Sequence, residues 1–408
     1  MKKALFILLT VLLVIGCSSR HKVVELTFFT YNTRFNEVLQ RSIDEFTSKH
    51  KNKYLITIET IQYEPHLVLQ NRLDENTAWD IMMMPPYDSI KNNAEKGYLL
   101  DITETGLTDQ IYPSLLNAVT YNERLFGLPY GVDVFGVYYN KDIFNAYGLK
   151  PPKTLIELQE IIRVLNSRGI TPFSISGKEE GSAGDIFYMF MTGVMNNNYS
   201  IWAESMSLGL SSYNNPAVDT VFEMLDIYRG SGGRGFSDID FQGHITRFSN
   251  GDAAMIVLDN SSLRVIQRTN PDFKMGFFPF PIVNADTQTA NIDTRFAFCI
   301  SSRIDHEKQE AAELFLKYLT EKNVAGSWNS ATGAIIAVRD CNRSLLSTDI
   351  VPFLNADSIV NKGQYLIPRG VYEETKTAVN SYLNGRVNKS AVVTKLDTVY
   401  GTIRNRSQ

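Results

Sequence analysis

The 408-residue chain is poor in the groups that carry most enzyme chemistry. Cysteine occurs three times, at Cys17, Cys299 and Cys341. No Cys-x-x-Cys pair exists, and the five histidines (His21, His50, His66, His244, His306) share no ligand spacing, so no metal site is expected. A His-Glu-x-x-His motif, a Gly-x-Ser-x-Gly elbow and a P-loop are all missing. Basic surplus is missing too. The formal charge is −4, which argues against a nucleic-acid partner. Beyond the first 16 residues no apolar run is long enough to cross a bilayer. Hydrophobic content of 44% with 21% charged residues is that of a globular protein rather than a disordered one.

What is present begins with the N-terminus. Lys2 and Lys3 form a positive n-region, Ala4 to Ile15 an apolar stretch, and Gly16 supplies the small residue at a cut. Cys17 follows directly, so Val14-Ile15-Gly16-Cys17 resembles a bacterial lipobox. That resemblance implies a signal peptide over 1–16, lipid attached to Cys17, and a tether over 17–22. The remaining 392 residues then carry a charge near −6, because Lys2 and Lys3 leave with the leader. They suffice for two or three domains. Cys299 falls in an apolar strand-like run, where a buried free thiol is the expected state. A Cys299–Cys341 disulfide remains the alternative in an oxidising compartment.

Along the chain, apolar patterning alternates between strand and helix periods. Val23 to Tyr31 reads as a buried strand, Phe35 to Phe46 as a helix, and Leu55 to Ile61 as a strand. Leu67 to Leu73 is helical and Asp80 to Met84 a short strand, an order that predicts parallel crossovers. A strand follows at Phe135 to Tyr139. Thr154 and Glu157 are spaced as a capping box, with Gly169 closing that helix. Further helices are predicted over Val218 to Tyr228, Gln309 to Leu319 and Glu373 to Leu383. The glycine patch from Gly230 to Gly235 reads as a mobile surface loop.

Several blocks in series resemble one family. They are Gly127-Leu128-Pro129-Tyr130, Val137 to Phe144, Gly148 to Thr154, Gly169 to Phe173, Phe248 to Met255, Ala311 to Leu319 and Gly333 to Val338. A C-terminal stretch from Thr377-Ala378-Val379 through Asn384-Gly385-Arg386 to Leu396 completes the set. Together they resemble the extracellular solute-binding lipoproteins of ABC importers, in the branch that includes maltose- and oligosaccharide-binding proteins. The resemblance implies an α/β, two-lobed, periplasmic-binding-protein-like (type II) fold with crossing hinge strands and a ligand cleft. It places crossings near Val132, 285–295 and Ser330 to Ala334. Lobe 1 would hold 23–131 plus 296–329, and lobe 2 would hold 133–285 plus 335–408. It also implies a saccharide ligand, ABC permease subunits as partners, a lipid anchor on the outer face of the cell membrane, and neither cofactor nor catalysis.

By the same resemblance, Asp133 stands where maltose binders carry a carboxylate, Tyr87 near where they present an aromatic, and Tyr372 where they carry a tryptophan. Tyrosine rings suit the C–H faces of pyranoses. The chain departs from the pattern after Met255, where Leu258-Asp259-Asn260-Ser261-Ser262 replaces the usual aromatic with small polar groups. Asp259 and Asn260 are therefore candidates for hydroxyl binding. Asp293 and Arg295 lie at the second crossing, as ligand contacts or as an ion pair with each other. Asn32 and Arg34 form a polar edge after the first strand. Two other readings remain: a polyamine or other cation held by Asp133, Asp259 and Asp293, or a lipid-anchored glycoside hydrolase using two carboxylates.

Overall fold

The computed structural model describes residues 23–180, 182–282, 290–342, 346–355, 359–360 and 363–407. The expected leader, Cys17 and the tether lie outside the described residues, as do 283–285 of the second predicted lobe. Twelve strands are described: β1 (Val24–Thr30), β2 (Tyr54–Thr60), β3 (Ile81–Met84), β4 (Thr120–Tyr121), β5 (Arg124–Leu125), β6 (Leu128–Asn140), β7 (Thr171–Ser174), β8 (Ala253–Asp259), β9 (Met275–Phe278), β10 (Ala290–Ile300), β11 (Ile335–Ile336) and β12 (Ile359–Val360). Ten of them form one mixed sheet, with β2-β1-β3-β10-β6-β8-β7 as its main path. The remaining pair, β4 and β5, makes a separate hairpin. The predicted parallel pairings of β1 with β2 and with β3 are present.

β6 organises the molecule. The sequence pattern marked only Phe135 to Tyr139, whereas the strand runs 13 residues and is buried throughout. Its first half pairs with β10 through Leu128 to Phe135 and with β11 at Gly131 and Val132. Its second half pairs with β8 and β9 through Phe135 to Asn140. Strand alternation then sorts its side chains between two faces. Leu128, Tyr130, Val132, Val134 and Tyr138 join one continuous core that also takes Phe28, Ile292, Phe296, Phe315 and Trp328. The opposite face is divided. Phe135, Val137 and Tyr139 enter one cluster, while Ala297 and Cys299 of β10 enter another with Phe29, Met82 and Met84. The face is polar where these two clusters part.

Local signals account for the helices that flank the sheet. Thr154 and Glu157 do form a reciprocal capping box at the start of Leu155–Ser167. Asn140 caps Lys141–Ala146 by accepting from the Asp142 and Ile143 amides. The helices predicted near Val218, Gln309 and Glu373 appear as Pro216–Gly230, His306–Leu319 and Arg369–Leu383. In the glycine patch Gly230, Gly233, Arg234 and Gly235 are exposed, as a surface loop requires, but its other two residues are not. Ser231 is buried, and its carbonyl accepts from the Phe173 amide at 3.1 Å, which ties the patch to β7. Cys299 and Cys341 are both buried and free. Among the described residues no helix is long and apolar enough to cross a membrane.

Candidate functional site

The gap in the divided face is filled by charge. Asp133 and Asp293 are direct cross-strand partners on β6 and β10, an arrangement of like charges that is unfavourable unless each finds a partner. Asp259, at the end of β8, pairs in register with Phe135 of β6. Period-2 alternation therefore turns all three carboxylates toward the same face. Arg295 meets two of them. Its Nε donates to Asp133 Oδ1, and its Nη2 donates to Asp259 Oδ1 at 2.5 Å and to Asn260 Oδ1 at 3.4 Å. Asp293 instead accepts from the Tyr87 hydroxyl at 2.7 Å and from the Thr294 amide. Arg295 thus bridges Asp133 and Asp259, while Tyr87 and Thr294 bond the Asp293 carboxylate.

A bulge and a glycine set this geometry. The β6–β10 register shifts between Thr294 and Phe296, leaving Arg295 as the extra residue on β10. Bulges commonly re-aim side chains in this way. Gly131 opposes Phe296, and a Cβ there would lie 2.3 Å from the Phe296 ring, so only glycine lets that ring pack. Asn260 is 4% exposed and locks the neighbouring backbone. It accepts from the Val134 amide at 3.2 Å and donates to the Val132 carbonyl at 2.9 Å. Burial alone would lower the Arg295 guanidinium pKa, but Asp133 and Asp259 outweigh it and raise it above the ordinary value. The phenols of Tyr31 and Tyr87 are raised by burial, then by Asp133 and Asp293 respectively.

Arg34 approaches from the other side, donating to the Thr332 carbonyl at 2.7 Å and to the Ser261 carbonyl at 3.4 Å. Its pKa is lowered first by burial, then by Arg295 and Arg264. Asn32 serves the backbone: its Oδ1 accepts from the Arg34 amide at 3.2 Å and caps a short 3-10 turn. Of the nine candidates, Tyr87, Asp133, Asp259, Asn260, Asp293 and Arg295 are gathered at the gap, with Arg34 reaching Ser261 beside it. Tyr372 belongs to a different wall, where its hydroxyl donates to Asp185 at 2.8 Å.

Two cavities open beside this cluster. The first, about 450 Å³, is lined by Tyr87, Asp88, Lys91, Asn117 and Thr120 on one side and by Thr192, Asn196, Asn197, Tyr199 and Ser200 on the other. The second, about 900 Å³, shares Asp88, Lys91, Ser200 and Leu366 with it and adds Tyr365, Arg369, Tyr372 and Tyr400. The shared lining makes them one groove, and each part is within the size range of small-molecule sites. Tyr87 and Tyr365 face each other in it, with ring centroids 5.5 Å apart. Trp79, Trp202 and Trp328 are all buried, so the groove's aromatic surface is tyrosine. Sequence reading missed Asn117, Asn196, Asn197 and Tyr365. The run Asn196-Asn197-Asn198 signals a turn but says nothing of a cavity.

The backbone is strained on both walls. Tyr87 has φ 60°, ψ −116°, and Asn196 has φ 47°, ψ −127°. Both approximate the first corner of a type II′ turn, a glycine position. Such outliers cost about 1–3 kcal/mol each and concentrate at functional sites.

A polar groove beside the long strands β6 and β10 is suited to holding a small molecule. The profile of the family described as "Bacterial extracellular solute-binding protein" matches residues 41–349, and the chain belongs to that family. A "Multiple sugar-binding protein" from Streptococcus mutans is 23% identical over 329 residues, covering 79% of this chain and 77% of that protein. Among solved structures, apo RafE from Streptococcus pneumoniae superposes with a TM-score of 0.80 at 19% identity, covering 94% of this chain and 98% of its own. RafE in complex with raffinose superposes at 0.73 and 18% identity, with 94% and 100% covered. The fold is therefore the type II solute-binding fold. Membership in a family of extracellular binding proteins removes the glycoside hydrolase alternative and implies a location outside the cytoplasm.

Proposed function

We propose that this protein captures a neutral oligosaccharide in the groove and delivers it to the permease subunits of an ABC importer, held to the outer face of the membrane by lipid on Cys17. The observation that carries the reading is the groove itself, lined by Tyr87, Tyr365 and Tyr372, by the amides of Asn117, Asn196 and Asn197, and by the hydroxyls of Thr120, Thr192 and Ser200. Tyrosine faces suit the C–H surfaces of pyranoses, and the polar groups suit their hydroxyls. The sugar-binding relative and the raffinose complex of RafE support the ligand class. The cation reading has less support, because Arg295 already bridges Asp133 and Asp259, and Asp293 accepts from the Tyr87 hydroxyl.

The same reading divides the chain into two lobes that close on the sugar. The crossings are β6 near Val132, β10 over 290–295, and Ser330 to Ala334. Lobe 1 takes 23–131 plus 296–329, and lobe 2 takes 133–285 plus most of 335–408. Residues 335–341 go with lobe 1, because Ile335 and Ile336 pair with Val132 and Gly131, and Ala337 bonds Tyr112 and Tyr130. Closure gives the importer a way to tell loaded from empty receptors. Calorimetry with raffinose and solution scattering test this together. Binding with a smaller radius of gyration at saturation is the expected result. Absence of heat would reject the sugar, and an unchanged profile with bound sugar would reject closure.

A further inference from the structure

Two non-glycine residues with glycine-like backbones, 109 positions apart in sequence, line the same cavity from opposite walls. Glycine at either place would relieve the strain, so the side chains are kept at a cost in folding. Asn196 is exposed on the cavity wall, beside exposed Asn197 and across from exposed Asn117 and Thr120. Amides present donors and acceptors together, which matches hydroxyls that do both. The cavity's charged residues, Asp88 and Lys91, are one of each sign and are shared with the larger cavity.

We propose that the smaller cavity is an inner subsite taking the uncharged terminal unit of the sugar chain, and that Asn196, with Asn117 opposite, determines its specificity. The larger, tyrosine-lined cavity takes the rest of the chain. This rests on the saccharide reading above and adds to it which end of the groove selects and by what chemistry. The strained backbone at Asn196 fixes the direction in which its side chain leaves the chain beside the cavity.

The test uses opposite signs. Asn196→Gly should raise the melting temperature, because it relieves strain. It should also weaken raffinose binding by about 3- to 10-fold, the loss of one neutral hydrogen bond. Asn117→Ala should weaken binding similarly with little change in melting temperature. Trigalacturonate, also a trisaccharide but charged, should bind wild type far more weakly than raffinose does. Wild-type raffinose affinity in both variants, or preferred binding of trigalacturonate, would overturn the inner subsite while leaving the receptor reading intact. Failure of the wild-type protein to bind either sugar would overturn both.

Discussion

Replacing Arg295 with methionine removes a cation that donates to both Asp133 and Asp259, and the cost can be worked from burial. The Asp133 side chain is 8% exposed and that of Arg295 22%. Breaking a pair this buried by removing one partner typically costs about 3–5 kcal/mol, because the other charge stays desolvated without its counter-charge. Asp259 is 22% exposed and regains some water, so its share is nearer the ~0–1 kcal/mol of an exposed pair. Arg295→Met should therefore lose about 4 kcal/mol. Urea unfolding reads this as a lower midpoint at unchanged slope. The double variant Arg295→Met with Asp133→Asn should recover much of the loss, since it removes the stranded charge rather than restoring a bond. A loss under about 1 kcal/mol, or a double variant no more stable than the single, would refute the view of Arg295 as the counter-charge of Asp133.

Gly131→Ala drives a methyl into the Phe296 ring, an overpacking that costs about 1–3 kcal/mol. It also shifts the bulge that aims Arg295, so a lower melting temperature and weaker raffinose binding should appear together. His244 is 3% exposed, and burial lowers its pKa to about 4, with a bond to the Val257 backbone and repulsion from Arg247 as smaller effects. The unfolded chain therefore binds the proton more readily between pH 6.5 and 4. Stability that is complete above pH 6.5 should fall on the order of 3 kcal/mol across that window, and His244→Gln should flatten the slope of stability against pH. Cys17→Ala should abolish acyl labelling and release the protein from membranes; normal labelling of that variant would remove the lipid anchor from the reading.

The sequence revealed its elements better than its site. Period and capping gave the parallel start of the sheet and the Leu155–Ser167 helix, because those signals are local. β6 was read too short because Pro129, Gly131, Asp133 and Gly136 interrupt its apolar pattern. Two of them have a clear tertiary reason: Gly131 admits the Phe296 ring, and Asp133 meets an arginine 162 residues away. The charged candidates were legible as exceptions within apolar runs, but their pairing was not. Asp293 and Arg295 are two apart in sequence, and only the bulge and the Tyr87 hydroxyl show why they choose different partners. Asn117 and Asn196 carried no motif at all. Neutral amides in turns look alike in every sequence, and their importance lies in the backbone angles and in what faces them.

The central pairing of the sheet also fixes an order of events in time. β3 joins its neighbour through Met84 opposite Ala297, so the first three strands have no inner partner until more than two hundred further residues exist. Contacts this remote are slow to form, and until they form the early strands present open edges that favour association with other chains. A chain that cannot complete its sheet early stays pliable during synthesis, and it also needs guarding while it waits.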